Sequence, residues 1–192
     1  MARRHYTKHK EFHRSSEIGN KLHDFILGIQ DGLVNVLGVI LAVATAASDA
    51  RLVIVAGLAA TFAESISMAA VAYTSTKASR DFYRSELERE HREVKEIPDA
   101  ERKEIQDIYF AKGFRGTMLN SIVSRITANK GVWVKTMMEE ELHLYDEKNN
   151  GPIRAAAVVG FSALVGSVVP LLPFFFFNIG NATICALVAS VV

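Results

Sequence analysis

The sequence predicts an all-α fold: a multi-pass helical membrane protein with a polar helical domain inserted between its spans. Residues 25–47 and 52–73 are apolar runs of about the 20 residues a helix needs to cross hydrocarbon, and residues 153–177 form a third. Between the second and third runs lies a Glu-rich block in which apolar residues recur at helical spacing. From Glu64 to Ile97 there is neither Gly nor Pro, so the second span is expected to pass unbroken into an acidic helix.

The net charge of +1 over 192 residues is a sum of unlike segments. Arg3, Arg4, Lys8, Lys10, Arg14 and Lys21 all precede the first span, which by the positive-inside rule places the N-terminus in the cytoplasm. The expected organisation is a basic cytosolic arm over 1–23, a first and second membrane helix over 24–75, a cytosolic carboxylate-rich metal-binding domain over 76–150, and a third membrane helix with the start of a fourth over 151–192. The tight Ser48–Arg51 turn then faces the far side. Gln30, Asp31 and Asn35 within a long first run argue against a cleaved signal peptide. The last apolar run, from about 179, has roughly 14 residues, short of a full span, and predicts a chain that ends inside a membrane helix. Cys185 is the single cysteine, so disulfides and thiolate metal sites are excluded. Any metal must be held by oxygen, imidazole or thioether.

In the first span Asp24, Gly28, Asp31, Asn35 and Gly38 share one helix face, and Gly28-x-x-x-Gly32 allows close helix approach. The second span repeats the arrangement with Gly57, Thr61, Glu64, Met68 and Ser75. Acids in mid-span usually face a cavity or partner, which points to a translocation path; capping or bonding of neighbouring helices is the alternative.

Beyond the membrane, Tyr83, Leu87, Val94 and Ile97 mark an apolar stripe that also contains Glu90. Pro98-Asp99 breaks this helix, with Asp99 as the expected N-cap of a second helix over about 100–112, where Glu101 and Glu104 precede Ile105 and Ile108 by one turn. Phe114, Met118, Ile122 and Ile126 predict a supporting helix. A last helix from Gly131 to about Tyr145 carries Val134, Met138, Glu141 and Tyr145 on one stripe, with Met137 beside it.

Glu90, Glu93, Glu101, Glu104 and Glu141 thus fall on or beside apolar stripes, and i, i+3 spacing aims paired carboxylates at one point. Oxygen clusters suit hard and borderline divalent ions, while Met137 and Met138 add soft donors, so Fe2+ fits the mixture best, ahead of Mn2+, Co2+ and Zn2+. Two other readings stand beside this one. A solvated acidic face with Arg and Lys partners would serve only dimerisation. Alternatively, Glu88-x-x-His91 and Glu140-x-x-His143 have the Glu-x-x-His form found in di-iron bundles, which would make a membrane-anchored ferroxidase or iron buffer. Glu88 and Glu90 lie about 200° apart on a helix, and Leu87 and Val94 choose the Glu90 face. His91 and His143 are then left facing solvent or standing behind the ligands. No G-x-x-x-x-G-K-[ST] loop is present, so transport would draw on a gradient and not on ATP.

From about residue 24 to its end the chain resembles the vacuolar iron transporter family. The resemblance is carried by Asp31-Gly32-Leu33, Ile66-Ser67-Met68, the Glu86–Glu93 segment, and Met137-Met138 followed by Glu141. It implies five membrane helices with a cytosolic metal-binding domain between the second and third. It also implies a homodimer that is a transporter and not an enzyme, exporting Fe2+ and often other divalent metals from the cytosol in exchange for protons. The partners it implies are the bilayer, a second copy, metal ions and protons, with no nucleic acid. The host membrane would be the cell membrane in a prokaryote and a vacuolar or other organelle membrane in a eukaryote. By the same resemblance, Glu90, Glu93, Glu101, Glu104, Met137, Met138 and Glu141 ligate the metal, and Asp31 and Met68 line the path at the dimer interface. Asn35 and Glu64 join the expected path from the polar stripes. The family's membrane acid two turns before Met68 would fall at Ala60, and here Glu64 stands one turn nearer. A fifth span is absent, which would mean a fragment.

Overall fold

The computed structural model describes residues 14–47, 49–145 and 151–191. Most of the basic arm and Ser48 of the expected far-side turn lie outside the described residues. The helices are α1 (Arg14–Ala46), α2 (Ala50–Glu96), α3 (Pro98–Ala111), α4 (Gly116–Thr127), α5 (Lys130–Thr136), α6 (Pro152–Leu171) and α7 (Ile179–Val191). A π-helical turn, Met137–Glu141, continues α5, and a 3-10 turn, Leu172–Phe175, follows α6. No strand occurs among the described residues. The protein is all-α, and Leu22–Ala46, α2 and Pro152–Phe175 are long and apolar enough to cross a membrane. The chain divides into an apolar unit, Met1–Thr74 with Pro152–Val192, and a polar unit, Ser75–Gly151; α2 contributes residues to both.

The apolar unit is held by close backbone approach. A Cβ on Gly32 of α1 would lie 2.7 Å from Ser167 Oγ of α6, and one on Gly160 of α6 would lie 2.8 Å from Ala69 Cβ of α2. At Gly166 the added carbon would collide with the Ile29 carbonyl. Lipid offers no hydrophobic drive between helices, so such small-residue contacts, which let dispersion act over many atoms, carry the association. Farther along, Val36, Ile40, Val53, Leu171, Phe174, Ala182 and Ala186 form a buried cluster. Pro170 and Pro173 withhold backbone donors, which accounts for α6 giving way to a 3-10 turn short of the expected residue 177. Outward, Val55, Phe62, Ile66, Ile153 and Phe161 are 58–78% exposed, a surface suited to hydrocarbon and not to water.

The polar unit packs the end of α2, α3, α4, α5 and the π turn around Val94, Ile105, Leu119, Val123, Trp133, Val134, Met137 and Met138. Three boundaries differ from expectation. α3 starts at Pro98 with Ile97 in the N-cap position and no side-chain cap, while Asp99 sits in the first turn. Proline suits the first helical position and drives its predecessor out of helical geometry, so the boundary falls on Ile97, which is 50% exposed. α4 starts at Gly116, so Phe114 lies before the helix and out of register with it; the buried stripe is Leu119 and Val123, while Met118 is 61% exposed. Gly113 (φ 98°) and Gly116 (φ 56°) supply the left-handed turns that connect α3 to α4. Asn129 Oδ1 accepts from the Gly131 and Val132 amides and starts α5. The helical run ends at Glu141, with His143 at φ 53°, which leaves Tyr145 64% exposed.

Gly166→Ala is expected to lower the melting temperature in detergent, since overpacking against backbone costs about 1–3 kcal/mol. Gly38→Ala, where nothing lies within 4 Å, is expected to be neutral or stabilising by up to about 1 kcal/mol through helix propensity. Thermal unfolding of both variants, followed by light scattering, checks the pair.

Candidate metal centre

The centre is built where apolar neighbours drag acids inward. Glu90 lies on α2 between Leu87, which packs on the polar unit's core, and buried Val94, and it is 1% exposed. Glu101 on α3 is pulled in by Ile105 one turn later and is 3% exposed. Together with half-buried Glu93, each offers a carboxylate oxygen, and these oxygens all lie within 4.8 Å of one another. Glu90 Oε2 and Glu101 Oε2 are buried without a hydrogen-bond partner. Unpaired buried carboxylate oxygens converging on a point form a donor set suited to a divalent cation.

The same crowding perturbs protonation. Burial pushes the Glu90 carboxyl above the usual range, and the Arg89 guanidinium opposes that rise. Burial, then the charges of Glu104, Glu90, Glu93 and Glu141, push Glu101 up to about 7. Burial and the charges of Glu104 and Glu90 push Glu141 up to about 6, although its side chain lies at the surface. Glu104 is exposed and acts on the cluster through its charge.

Arg89 was not legible as a site residue from apolar periodicity. Its Nη1 lies 2.8 Å from Glu86 Oε2, its Nη2 donates to Glu90 Oε1 at 3.3 Å, and its Nε lies 3.6 Å from Glu93 Oε2. The signal available in the sequence was the flanking of one Arg by acids at i−3, i+1 and i+4.

Met137 and Met138 are 0% and 1% exposed. They open the π turn, in which the Leu142 amide reaches back to the Met137 carbonyl at 3.2 Å, one residue farther than in an α-helix. Both methionines pack in the core with Trp133, the protein's single tryptophan.

The Glu-x-x-His motifs do not assemble. Glu88, His91 and His143 are exposed, and Glu140 forms an ion pair with Lys112. In the apolar unit, Glu64 of α2 interacts with Asp31 and Asn35 of α1, so the two helices bring these polar groups together. Met68 is half-buried one turn after Glu64. Ala60, the position one turn before Glu64, packs beside the apolar cluster around Ile40 and Val53.

A family model described as the VIT family matches residues 22–192. The chain belongs to the VIT family. It is 32% identical over 169 residues to vacuolar iron transporter 2 of Oryza sativa subsp. japonica, which covers 88% of this chain and 68% of that protein. It is similar at 30% identity over 185 residues to the vacuolar iron transporter of Centaurea cyanus, covering 96% and 74% of the two chains. Protein CCC1 of Saccharomyces cerevisiae is 28% identical over 174 residues, covering 89% and 54%.

In this VIT-family chain the buried acids make the polar unit's stability depend on pH. Glu101 binds its proton more tightly folded, at about 7, than at the ordinary 4.5, so between those values the folded state holds more protons than the unfolded state. Stability is therefore highest below about pH 4.5 for this group and falls as pH rises to 7. Glu101→Gln is expected to flatten that slope and raise stability at pH 8 by on the order of 2 kcal/mol. Trp133 fluorescence during denaturation between pH 5 and pH 8 measures it.

Proposed function

We propose that this VIT-family protein transports Fe2+, and other divalent metals such as Mn2+, out of the cytosol in exchange for protons. The observation that carries this reading is the convergence of the Glu90, Glu93 and Glu101 oxygens within 4.8 Å, with unpartnered oxygens on two of the three. Relatives named vacuolar iron transporters support iron as the cargo. Carboxylate oxygens supply the charge that draws a divalent ion, and the thioethers of Met137 and Met138, in the core of the same unit, would as ligands favour a transition metal over Mg2+ or Ca2+. Glu104 and Glu141 complete the proposed ligand set. We place the N-terminus and the polar unit in the cytosol, and the protein in a cell or organelle membrane as a homodimer.

In the apolar unit the proposed path runs along Asp31, Asn35, Glu64 and Met68. Asp31 of α1 and Glu64 of α2 interact within the apolar unit, and such a pair of acids is suited to hold a cation or a proton. A site that can hold either one can exchange them, which is the elementary step of antiport. Glu64, one turn from Ala60, is proposed to serve for the acid that the family resemblance puts at Ala60.

In the full-length chain, anaerobic Fe2+ titration followed by Trp133 fluorescence is expected to saturate. Glu101→Gln should weaken binding at least about tenfold, as expected for loss of a charged ligand, while Glu88→Gln leaves it unchanged. Affinity should fall as pH drops from 7 through 6, where Glu101 and Glu141 take up protons. Absence of saturable binding would overturn the proposed collecting site. In proteoliposomes, Glu64→Gln is expected to abolish proton-coupled Fe2+ flux while the titration is unaffected; unchanged flux removes Glu64 from the path.

A further inference from the structure

We propose that Arg89 is a built-in counter-cation that sets the affinity of the carboxylate cluster by competing with the divalent ion for Glu90 and Glu93. The inference rests on the proposed metal-collecting role of that cluster and names a residue that controls it.

An ordinary surface ion pair on a helix joins one base to one acid at i, i+3 or i, i+4. Arg89 instead spreads its guanidinium over three acids on α2: Glu86 at 2.8 Å, Glu90 at 3.3 Å and Glu93 at 3.6 Å. Two of the three belong to the converging group of Glu90, Glu93 and Glu101. The Glu90 side chain is only 2% exposed, so in the absence of metal its charge needs a cation close by. Arg89 meets that need on Oε1 alone, and Oε2 stays buried and unpartnered. The guanidinium therefore neutralises the cluster without closing it.

A divalent ion drawing on Glu90 and Glu93 would bring like charge against the guanidinium, and one of the two must yield. Arg89 has room to do so. Its side chain is 40% exposed, and its shortest contact is to Glu86, which lies outside the converging group. Glu86 at i−3 is thus a resting partner onto which the guanidinium can retreat while keeping a charge-assisted bond. The planar fork of arginine suits this, because separate N–H groups face separate carboxylates. The device costs affinity and gains release: a carrier that collects an ion for onward transfer must also let it go.

Two substitutions with opposite expected signs test the idea in the complete chain in detergent, with Mn2+ as probe read by calorimetry and Trp133 fluorescence. Arg89→Gln is expected to tighten Mn2+ binding about tenfold, the scale of one charge-assisted hydrogen bond. Glu86→Gln is expected to weaken it, because the guanidinium loses its resting partner. In an Arg89→Gln background the Glu86→Gln change should have little effect, since Glu86 acts through Arg89. Arg89→Lys, which keeps the charge but loses the fork, should fall between wild type and Arg89→Gln, and it carries the test if Arg89→Gln fails to fold. Arg92→Gln, an exposed charge on the same helix, controls for the general field and should shift affinity far less. If Arg89→Gln and Arg89→Lys bind Mn2+ as wild type does or more weakly, Arg89 only positions the acids and the proposal is overturned, with the collecting site intact. If wild type shows no saturable binding, the collecting site itself is overturned.

Discussion

An acid with an unpartnered oxygen inside an apolar core is the constraint on which the polar unit turns. Glu90 and Glu101 are buried among residues that keep water out, and each has an oxygen with no hydrogen-bond partner. Leaving a buried polar group unpaired costs on the order of 1–3 kcal/mol, and more for a charge. The fold tolerates this through Val94, Ile105, Trp133, Val134 and the two methionines, which bury enough apolar surface to offset it. It also tolerates it through raised proton affinity and through Arg89. These compensations leave the oxygens available, and they are what a cation would replace.

The apolar unit answers a different solvent with a different economy. Its large side chains face outward, and its helices meet through glycine and small residues, where backbone touches backbone. Such contacts leave little volume between α1, α2 and α6, so the polar groups there are drawn to one another: Glu64 meets Asp31 and Asn35. Both units therefore use packing to force acids together, one around side chains and the other around glycines.

Helical periodicity placed Glu90 and Glu101 on the inside, Glu90 between Leu87 and Val94 and Glu101 one turn before Ile105. The Gly28/Gly32 spacing likewise allowed a close helix approach, and the fold makes it with α6. Periodicity failed where helices ended or changed type. Counting from Phe114 put Met118 inward, but α4 begins after Phe114, and the buried face rotated to Leu119 and Val123. It could not anticipate the π turn at Met137–Glu141, since the i to i+5 hydrogen bond is not encoded in the spacing of apolar residues. The place of Arg89 was hidden for a related reason: apolar stripes carry no information about the charged residues beside them.

By itself the sequence determined the all-α class, the long apolar helices, the uninterrupted α2 and the inward placement of Glu90 and Glu101, because these follow from local properties: apolar length, helix propensity and the spacing of neighbours on one helix. The tertiary structure decided which acids share a point. Glu90 and Glu93 come from α2 and Glu101 from α3, and only the packing of α3 against α2 sets the distance of the Glu101 oxygen from the other two. It also decided that Glu104 and Glu141 act from the surface, that Glu140 pairs with Lys112, and that Glu64 meets Asp31. Distances between groups far apart in the chain are set by how faces fit, and no single helix encodes that fit.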